Sequence, residues 1–460
     1  MYFAQHYLDC LSQASYLIGD ETTGRAVVVD PRRDVSEYLS DARARGLAIE
    51  AVINTHFHAD FAAGHLELAA ATGAWIGYGR RAAEVEYPVR RLADGDRIGL
   101  GDVVLEIRET PGHTPESISV LVYEHAGNPV PYGVLTGDAL FIGDVGRPDL
   151  LSSLGMTAAD LGRMLYDSVQ HVLMGLPDEV RVFPAHGAGS ACGKNLSTER
   201  QSTIGAQRRA NYACASMSED EFVAIVTEGQ PPAPAYFTYD AVVNRQRHGL
   251  LDVQAHARPL PAARLLSRRA AGAVVLDTRD PGEFAAGHVR GSLNVPADGR
   301  FAERAGMVID PRTEIVVIAP PGGEQEVVTR LGRIGFDNVA GYLAEPGAAL
   351  LTIPDQVDQA SRLTASQLRT ALDQDRPPVV LDVRNAAELA AGGIAGARHI
   401  PLAELPRRLA EVPDGEPVVI YCAGGTRSSI AASLLRRSGH RDVSDLIGGE
   451  AAWRLASASA

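Results

Sequence analysis

At 460 residues the chain is long enough for roughly two to four domains, each able to bury its own core. Its 45% hydrophobic and 22% charged residues are an ordinary globular balance, and no apolar run approaches the roughly 20 residues that span a bilayer. A net charge of -14 argues against nucleic acid or anionic lipid as a main partner.

In chain order, residues 1–19 lack the basic start and apolar core of a signal peptide. Short apolar runs at Ser15 to Ile18 and Ala26 to Val29 read as strands. Val35 to Arg45 reads as a helix opened by Asp34 and closed by Gly46. Ala51-Val52-Ile53 reads as a buried strand, and Phe61 to Ala71 as a helix turning Leu66, Leu68 and Ala69 inward, with Asp60 as its cap. Further strands are expected at Val103 to Ile107, Ile118 to Val122, Gly133 to Leu135 and Val180 to Phe183, with a helix around Asp160 to Val172. Strands followed by a helix, twice over, predict two sheets packed face to face with helices outside. Gln230-Pro231-Pro232-Ala233-Pro234 reads as a stiff connector near the end of this domain.

The remainder holds an internal repeat. Leu276-Asp277-Thr278-Arg279 recurs as Leu381-Asp382-Val383-Arg384, and Gly291 to Pro296 recurs as Gly396 to Pro401, both 105 residues on. That spacing suits two copies of a small domain, each an open parallel sheet flanked by helices, joined around Glu345 to Ser361. The expected domains are 1–245, 260–355 and 360–460. Four cysteines (Cys10, Cys192, Cys214, Cys422) lie far apart with no Cys-x-x-Cys pair, which suits a reducing cytoplasm and reactive thiols rather than a disulfide framework. A homo-oligomer is compatible with the sequence.

His56-Phe57-His58-Ala59-Asp60 follows the strand ending at Ile53, at a turn where side chains can converge on a metal, the alternative being two hydrogen-bonded histidines on a surface loop. Three further loops carry ligand types: His113 in a turn-rich loop, Asp138 and His186 at strand ends. This ordered set resembles the metallo-β-lactamase fold, an αββα sandwich, over about residues 1 to 245. The family's first motif ends in a histidine that is Phe61 here; phenylalanine cannot ligate, so one metal is expected rather than two. Two subfamilies compete: zinc thioesterases like glyoxalase II, with a dinuclear site, and persulfide dioxygenases, with one Fe(II). The dioxygenase resemblance assigns His56, His113 and Asp138 to the metal, a set that leaves three open positions for oxygen chemistry. His58, Asp60 and His186 would then orient the ligands. Phe61 favours this reading, as does the segment Leu140 to Asp149, which looks like its counterpart in the dioxygenases. In that segment Arg147 is a candidate for a substrate carboxylate, with an ordinary salt bridge as the alternative. After His186 the chain reads Gly187-Ala188-Gly189-Ser190-Ala191-Cys192, where stand-alone dioxygenases have Asp-Tyr; this resembles bacterial dioxygenase–rhodanese fusions. Cys192 is a candidate to touch or carry a persulfide, or is a small packed residue. Cys10 and Cys214 read as core residues.

Near the C-terminus, Tyr421-Cys422-Ala423-Gly424-Gly425-Thr426-Arg427 places one cysteine at a strand end ahead of a helix. Loop N–H groups, the helix N-terminus and Arg427 would cradle a thiolate or bound sulfur anion. The cradle resembles that of protein tyrosine phosphatases, but the four residues between Cys422 and Arg427 make it shorter, which implies a fit to a persulfide sulfur better than to a phosphate. This loop, with Asp382-Val383-Arg384 and Gly448-Gly449-Glu450, resembles the rhodanese sulfurtransferases; one departure is Gly393, where the family has histidine. The first copy reads Ala319-Pro320-Pro321-Gly322-Gly323-Glu324 at its loop, without cysteine or arginine, and is expected to be catalytically dead.

Together the resemblances imply a persulfide dioxygenase–rhodanese fusion holding one Fe(II) per chain. A low-molecular-weight persulfide (of glutathione, coenzyme A or a similar thiol) and dioxygen would give thiol and sulfite, and Cys422 would pass sulfane sulfur to sulfite, giving thiosulfate, or run in reverse. The alternatives are a zinc thioesterase with a sulfurtransferase domain and a non-enzymatic sulfur-relay protein.

Overall fold

In the computed structural model, which describes residues 1–150, 155–230, 232–390 and 392–458, the chain divides into two units. One comprises Met1–Leu251 with Arg333–Gly335, the other Asp252–Gly332 with Phe336–Ala460. Pro231, in the expected connector, lies outside the described residues. Among those described, no helix is long and apolar enough to cross a membrane.

The first unit contains two six-stranded sheets. One runs in chain order: β1 (Tyr2–Leu8), β2 (Gln13–Asp20), β3 (Arg25–Val29), β4 (Ala48–Ile53), β5 (Trp75–Gly79) and β6 (Arg90–Leu92). The other has β7 (Arg97–Gly99), β8 (Val104–Glu109), β9 (Ile118–Tyr123), β10 (Gly133–Gly137), β11 (Arg181–Pro184) and β12 (Ser202–Thr203) side by side. Period-two alternation distributes the side chains. Ala51 and Ile53 of β4 face the core between the sheets, with Val120, Val122, Leu135 and Phe183 opposite, whereas Val52 packs outward with Tyr38 and Leu68. On the outer face of the second sheet Leu121, Val134 and Val182 meet Leu165, Val169 and Phe222. Helices therefore cover both outer faces, the expected αββα sandwich.

Two sequence expectations shift. The helix after the metal motif, α2, runs His65–Thr72 and starts on Gly64, with no side-chain cap. Asp60 is too far upstream to cap it and bonds elsewhere, and a β-carbon on Gly64 would overlap the Arg32 carbonyl, so the chain passes through a tight turn before the helix begins. On α2, Glu67 is buried against Arg33 (2.8 Å), and Leu66 and Ala69 are only partly covered. The first helix, Ser36–Ala44, likewise has Val35 rather than Asp34 at its cap; the Asp34 carboxylate instead pairs with Arg32 at 3.2 Å.

The second unit holds two parallel five-stranded sheets of matching order. The first runs Pro259–Leu260, Val339–Leu343, Ile315–Ile318, Val274–Asp277, Leu293–Asn294; the second runs Ser361–Leu363, Val443–Leu446, Val418–Tyr421, Val379–Asp382, Arg398–His399. Asp277 pairs with Ile318 as Asp382 pairs with Tyr421, so Ala319 stands where Cys422 does and Glu324 where Arg427 does. In each copy the Asp-x-Arg motif closes on itself: Arg384 grips Asp382 at 2.7 Å and Arg279 grips Asp277 at 2.5 Å.

The copies differ where the second departs from the rhodanese pattern. In the first copy His288 stacks on Phe284 (3.8 Å between centroids), and the aliphatic Ile318 stands at the strand position that Tyr421 holds in the second. In the second, Gly393 leaves room for the Tyr421 hydroxyl, which donates to Asp382 (2.6 Å) and accepts from the Ile394 N–H (3.2 Å). A β-carbon on Gly393 would lie 2.7 Å from both that hydroxyl and Arg384 Nη2. Gly393→Ala should therefore cost about 1–3 kcal/mol of stability. The cost should fall in a Tyr421→Phe background, which a double-mutant cycle by chemical denaturation would measure; additive costs would refute the pairing.

Candidate metal centre and sulfur cradle

The metal-type ligands gather at the ends of β4, β10 and β11 and in the loop before β9. His56, His113 and Asp138 offer ligand atoms that all lie within 4.8 Å of one another, and all three residues are buried. His113 Nε2 is 3.5 Å and His56 Nε2 3.9 Å from Asp138 Oδ2. Each ligand is held from behind. The Thr55 hydroxyl lies 2.9 Å from His56 Nδ1 and itself donates to Asp30 Oδ2 (2.8 Å). The Arg147 carbonyl accepts from His113 Nδ1 at 2.9 Å, and His186 Nδ1 lies 2.8 Å from Asp138 Oδ1. These bonds turn His56 Nε2 and Asp138 Oδ2 inward, where both are buried without a hydrogen-bond partner. Buried polar atoms left unpaired are costly, and a cation between them satisfies both, so the donor set fits a metal.

The electrostatics agree with ligation. Burial, with His58 beside it, holds His56 well below the usual histidine range, leaving a neutral imidazole. Burial alone would raise the Asp138 carboxyl, but His186, His56 and His113 bring it far below the usual range, leaving a carboxylate. Burial opposes the charge on His186, yet Asp138 and Asp60 outweigh it and raise that imidazole well above its ordinary value.

Of the residues expected to orient ligands, His186 bridges Asp138 and Asp60, its Nε2 lying 2.8 Å from Asp60 Oδ2. His58 turns its Nε2 to Asp30 (3.0 Å), and its ring lies 4.3 Å from that of the buried Phe61. Cys192 is buried; together with Asp60 and His186 it forms a second cluster of ligand atoms within 4.8 Å. Burial, then the Asp60 and Asp138 carboxylates, push its thiol well above the ordinary range. Arg147 is buried with its fork on Asp149 (2.7 Å to each carboxylate oxygen), the salt-bridge alternative, and its backbone carbonyl is what reaches the site. Cys214 is a core thiol, pushed up to about 12 by burial, and Cys10 is half-buried.

Sequence reasoning missed Asp30, Thr55 and Glu116. Asp30, at the end of β3 with a left-handed backbone (φ 52°), accepts from the Thr55 N–H and from both side chains named above. Glu116 accepts from the Phe57 N–H at 2.9 Å. The Val29-Asp30-Pro31 strand end was the available signal.

In the second unit Cys422 ends the strand Val418–Tyr421 and is buried at 1% exposure. The Gly425 N–H points at its sulfur (3.1 Å), and the Ser428 hydroxyl lies 3.6 Å away. Ala423, Gly424, Gly425 and Thr426 form the loop, with Gly425 in the left-handed region (φ 105°) where the helix Thr426–Arg437 begins. Arg427 is gripped by Glu388 through two contacts of 2.7 Å. Burial opposes its charge, but Glu388 and then the Cys422 sulfur raise its guanidinium above the usual value. The Gly448-Gly449-Glu450 motif closes the cradle from behind: the N–H groups of Glu450 and Ala451 bond the Cys422 and Ala423 carbonyls at 2.7 and 3.2 Å. Those carbonyls are thus turned away, and the Gly425 N–H faces the sulfur. A β-carbon on Gly449 (φ 57°) would overlap the Cys422 carbonyl. Gly449→Ala should therefore misplace the loop, read as at least about a tenfold change in the rate at which Cys422 is alkylated. The circular-dichroism spectrum should be unchanged; its loss would indicate general unfolding.

Two sandwiched sheets with a buried His/His/Asp cluster, followed by two parallel sheets of which one carries a cysteine cradle, define a metallo-β-lactamase-type domain joined to rhodanese-like domains. The Metallo-beta-lactamase superfamily model matches residues 8–186, and the Rhodanese-like domain model matches residues 261–344 and 364–456. The solved metallo-beta-lactamase from Staphylococcus aureus subsp. aureus COL is 34% identical, with a TM-score of 0.67 over 74% of this chain and 98% of that one. The chain belongs to the metallo-beta-lactamase superfamily, as a member that carries two rhodanese-like domains.

Among curated relatives, the mitochondrial persulfide dioxygenase ETHE1 of Bos taurus is 29% identical over 50% of this chain and 82% of its own length. The Beta-lactamase hydrolase-like protein of Xylella fastidiosa (strain 9a5c) is 28% identical over 46% of this chain. The match spans about half of that relative, 52% of its length.

Proposed function

We propose that the chain oxidises a low-molecular-weight persulfide to sulfite and thiol at one Fe(II), and transfers sulfane sulfur through Cys422. The division of labour is a dioxygenase domain at 1–245, an inactive rhodanese-like domain at 260–355 and an active one at 360–460. The single observation that carries the reading is the buried His56/His113/Asp138 cluster, with two inward-facing unpaired atoms and Phe61 packed where a further ligand would stand. When bound there, iron supplies the redox centre at which dioxygen and the outer sulfur of the persulfide react. The chain's own groups prepare the site. Thr55 and Asp30 fix the tautomer and tilt of His56, the Arg147 carbonyl fixes His113, and His186 leaves one Asp138 oxygen free. Arg147, locked to Asp149, acts as a positioning residue through its backbone.

At the second site Cys422 is the nucleophile. Its thiolate attacks the outer sulfur of a donor, the donor's bond to that sulfur breaks, and Cys422 keeps a persulfide. Sulfite then takes that sulfur as thiosulfate and returns the thiolate. Gly425 N–H and Arg427 stabilise the negative sulfur in both states. Ala319 and Glu324, in the corresponding places of the first copy, offer neither a nucleophile nor a cation.

One observation favours a second reading. Asp60, His186 and Cys192 form a further cluster capable of holding a metal, and a Hydroxyacylglutathione hydrolase of Polaromonas sp. is 33% identical over 37% of this chain. A dinuclear zinc thioesterase would use both clusters. Metal analysis of anaerobically purified protein, with oxygen uptake on glutathione or coenzyme A persulfide, separates the two: one iron and persulfide-dependent uptake support the dioxygenase, whereas two zinc ions and oxygen-independent thioester hydrolysis refute it.

A further inference from the structure

The two rhodanese copies meet beside the helix Thr426–Arg437. Ser429 donates to Asn294 Oδ1 (2.6 Å), and the Asn294 N–H donates to Ser433 (2.9 Å). At the far end of that helix, about 18 Å of helix from the Cys422 loop, a cleft of about 790 Å³ opens between the copies. It is lined by Arg290 from the first copy and by Arg436, Arg437 and Arg441 from the second, against Asp358 and Asp442.

This local charge is opposite to that of the chain, whose net charge is -14. Arg290 is paired with Asp358 at 3.1 Å. Among the described residues Arg436, Arg437 and Arg441 form no salt bridge. Arg436 and Arg437 donate only to main-chain carbonyls, those of Ser361 and Val443 and that of Gly291. Two arginines in a helix's last turn are accounted for by the helix dipole. That explanation does not cover Arg290 or Arg441, which reach the same cleft from other segments. The half-buried Arg436 feels the Asp445 carboxylate, yet burial still pushes its guanidinium below its ordinary value, as burial does for Arg437. His440, also lining the cleft, keeps a buried Nδ1 without a hydrogen-bond partner.

We propose that this cleft binds a small molecule of about nucleotide size that carries two or more phosphate charges, with the inactive copy supplying one wall. Guanidinium forks match phosphate oxygens two at a time, and converging cations in a cleft focus the field on an anion. The volume lies in the range of small-ligand sites, and the chain's strong negative charge disfavours a long polyanion such as nucleic acid. The inactive copy then has a use that needs neither thiol nor cradle.

The test is isothermal titration of the full chain with ADP, pyrophosphate, adenosine and thiosulfate. ADP and pyrophosphate should bind saturably and compete with one another, more weakly as salt is raised, and adenosine should not bind. Binding should weaken at least about tenfold in Arg437→Gln/Arg441→Gln and in the exposed single variant Arg441→Gln, while Cys422→Ala binds as wild type does. Thermal melting and thiosulfate:cyanide transfer should be unchanged in the arginine variants. Absence of saturable ADP and pyrophosphate binding, undiminished affinity in the double variant, or loss of binding in Cys422→Ala would each overturn the proposal. Displacement of ADP by thiosulfate at equal concentration would overturn the phosphate assignment in favour of a sulfur-oxyanion site.

Discussion

His113→Ala protein should show no persulfide-dependent oxygen uptake and should retain full thiosulfate:cyanide transfer. The alanine removes one of three proposed ligands and leaves two groups, His56 Nε2 and Asp138 Oδ2, that are separated by 3.9 Å and too few to hold Fe(II) against water and buffer. The loss should be at least about a thousandfold in rate, since the reaction has no other redox centre. Iron content should fall from about one per chain to a small fraction of that, as it should in wild-type protein treated with a chelator. Transfer persists because Cys422 and its cradle belong to a separate unit of the chain. Elemental analysis, an oxygen electrode and a cyanide assay on the same preparation make the test. Oxygen uptake surviving in the variant would remove His113 from the site.

The second large effect is expected at Cys422. Cys422→Ala should reduce thiosulfate:cyanide transfer at least about a thousandfold, because no other group in the cradle can form a persulfide. Altering Ala319 to Glu324 in the first copy should leave transfer intact. Residual transfer in Cys422→Ala protein would mean that another thiol, Cys192 above all, accepts sulfur; its raised thiol and burial argue against this. The same variant reads the coupling between sites. Wild-type protein given persulfide and oxygen should release thiosulfate, whereas Cys422→Ala should release mainly sulfite, since the sulfur-loaded electrophile is gone. The isolated metallo-β-lactamase-type domain controls for the direct reaction of sulfite with free persulfide. Equal sulfite-to-thiosulfate ratios in wild type and variant would show that the two reactions proceed independently.

The amino-acid sequence by itself determined which chemistries were available. Histidine and aspartate at loop and strand-end positions, Phe61 in place of a ligand, the Cys422-to-Arg427 loop and its absence from the first copy are all visible in residue order. They are legible because strands of period two and helix starts are local, so a motif directly after a strand is placed by its immediate neighbours. The αββα layering and the paired parallel sheets followed from the same periodicity and from the 105-residue repeat. What each side chain finally touches was decided by tertiary structure. Asp60 reads locally as a helix cap but lies in ion-pair contact with His186, more than a hundred residues away, because the chain turns through Gly64 first. Arg147 reads as an anion binder but spends its fork on Asp149 and contributes a carbonyl to His113. Gly393 looks like a lost histidine until the Tyr421 hydroxyl is seen beside it. The arginine cleft joins residues from both copies and has no sequence signature at all. The physical reason is common to all four: hydrogen bonds and desolvation act between groups brought together by packing, and no local pattern records which distant partner will arrive.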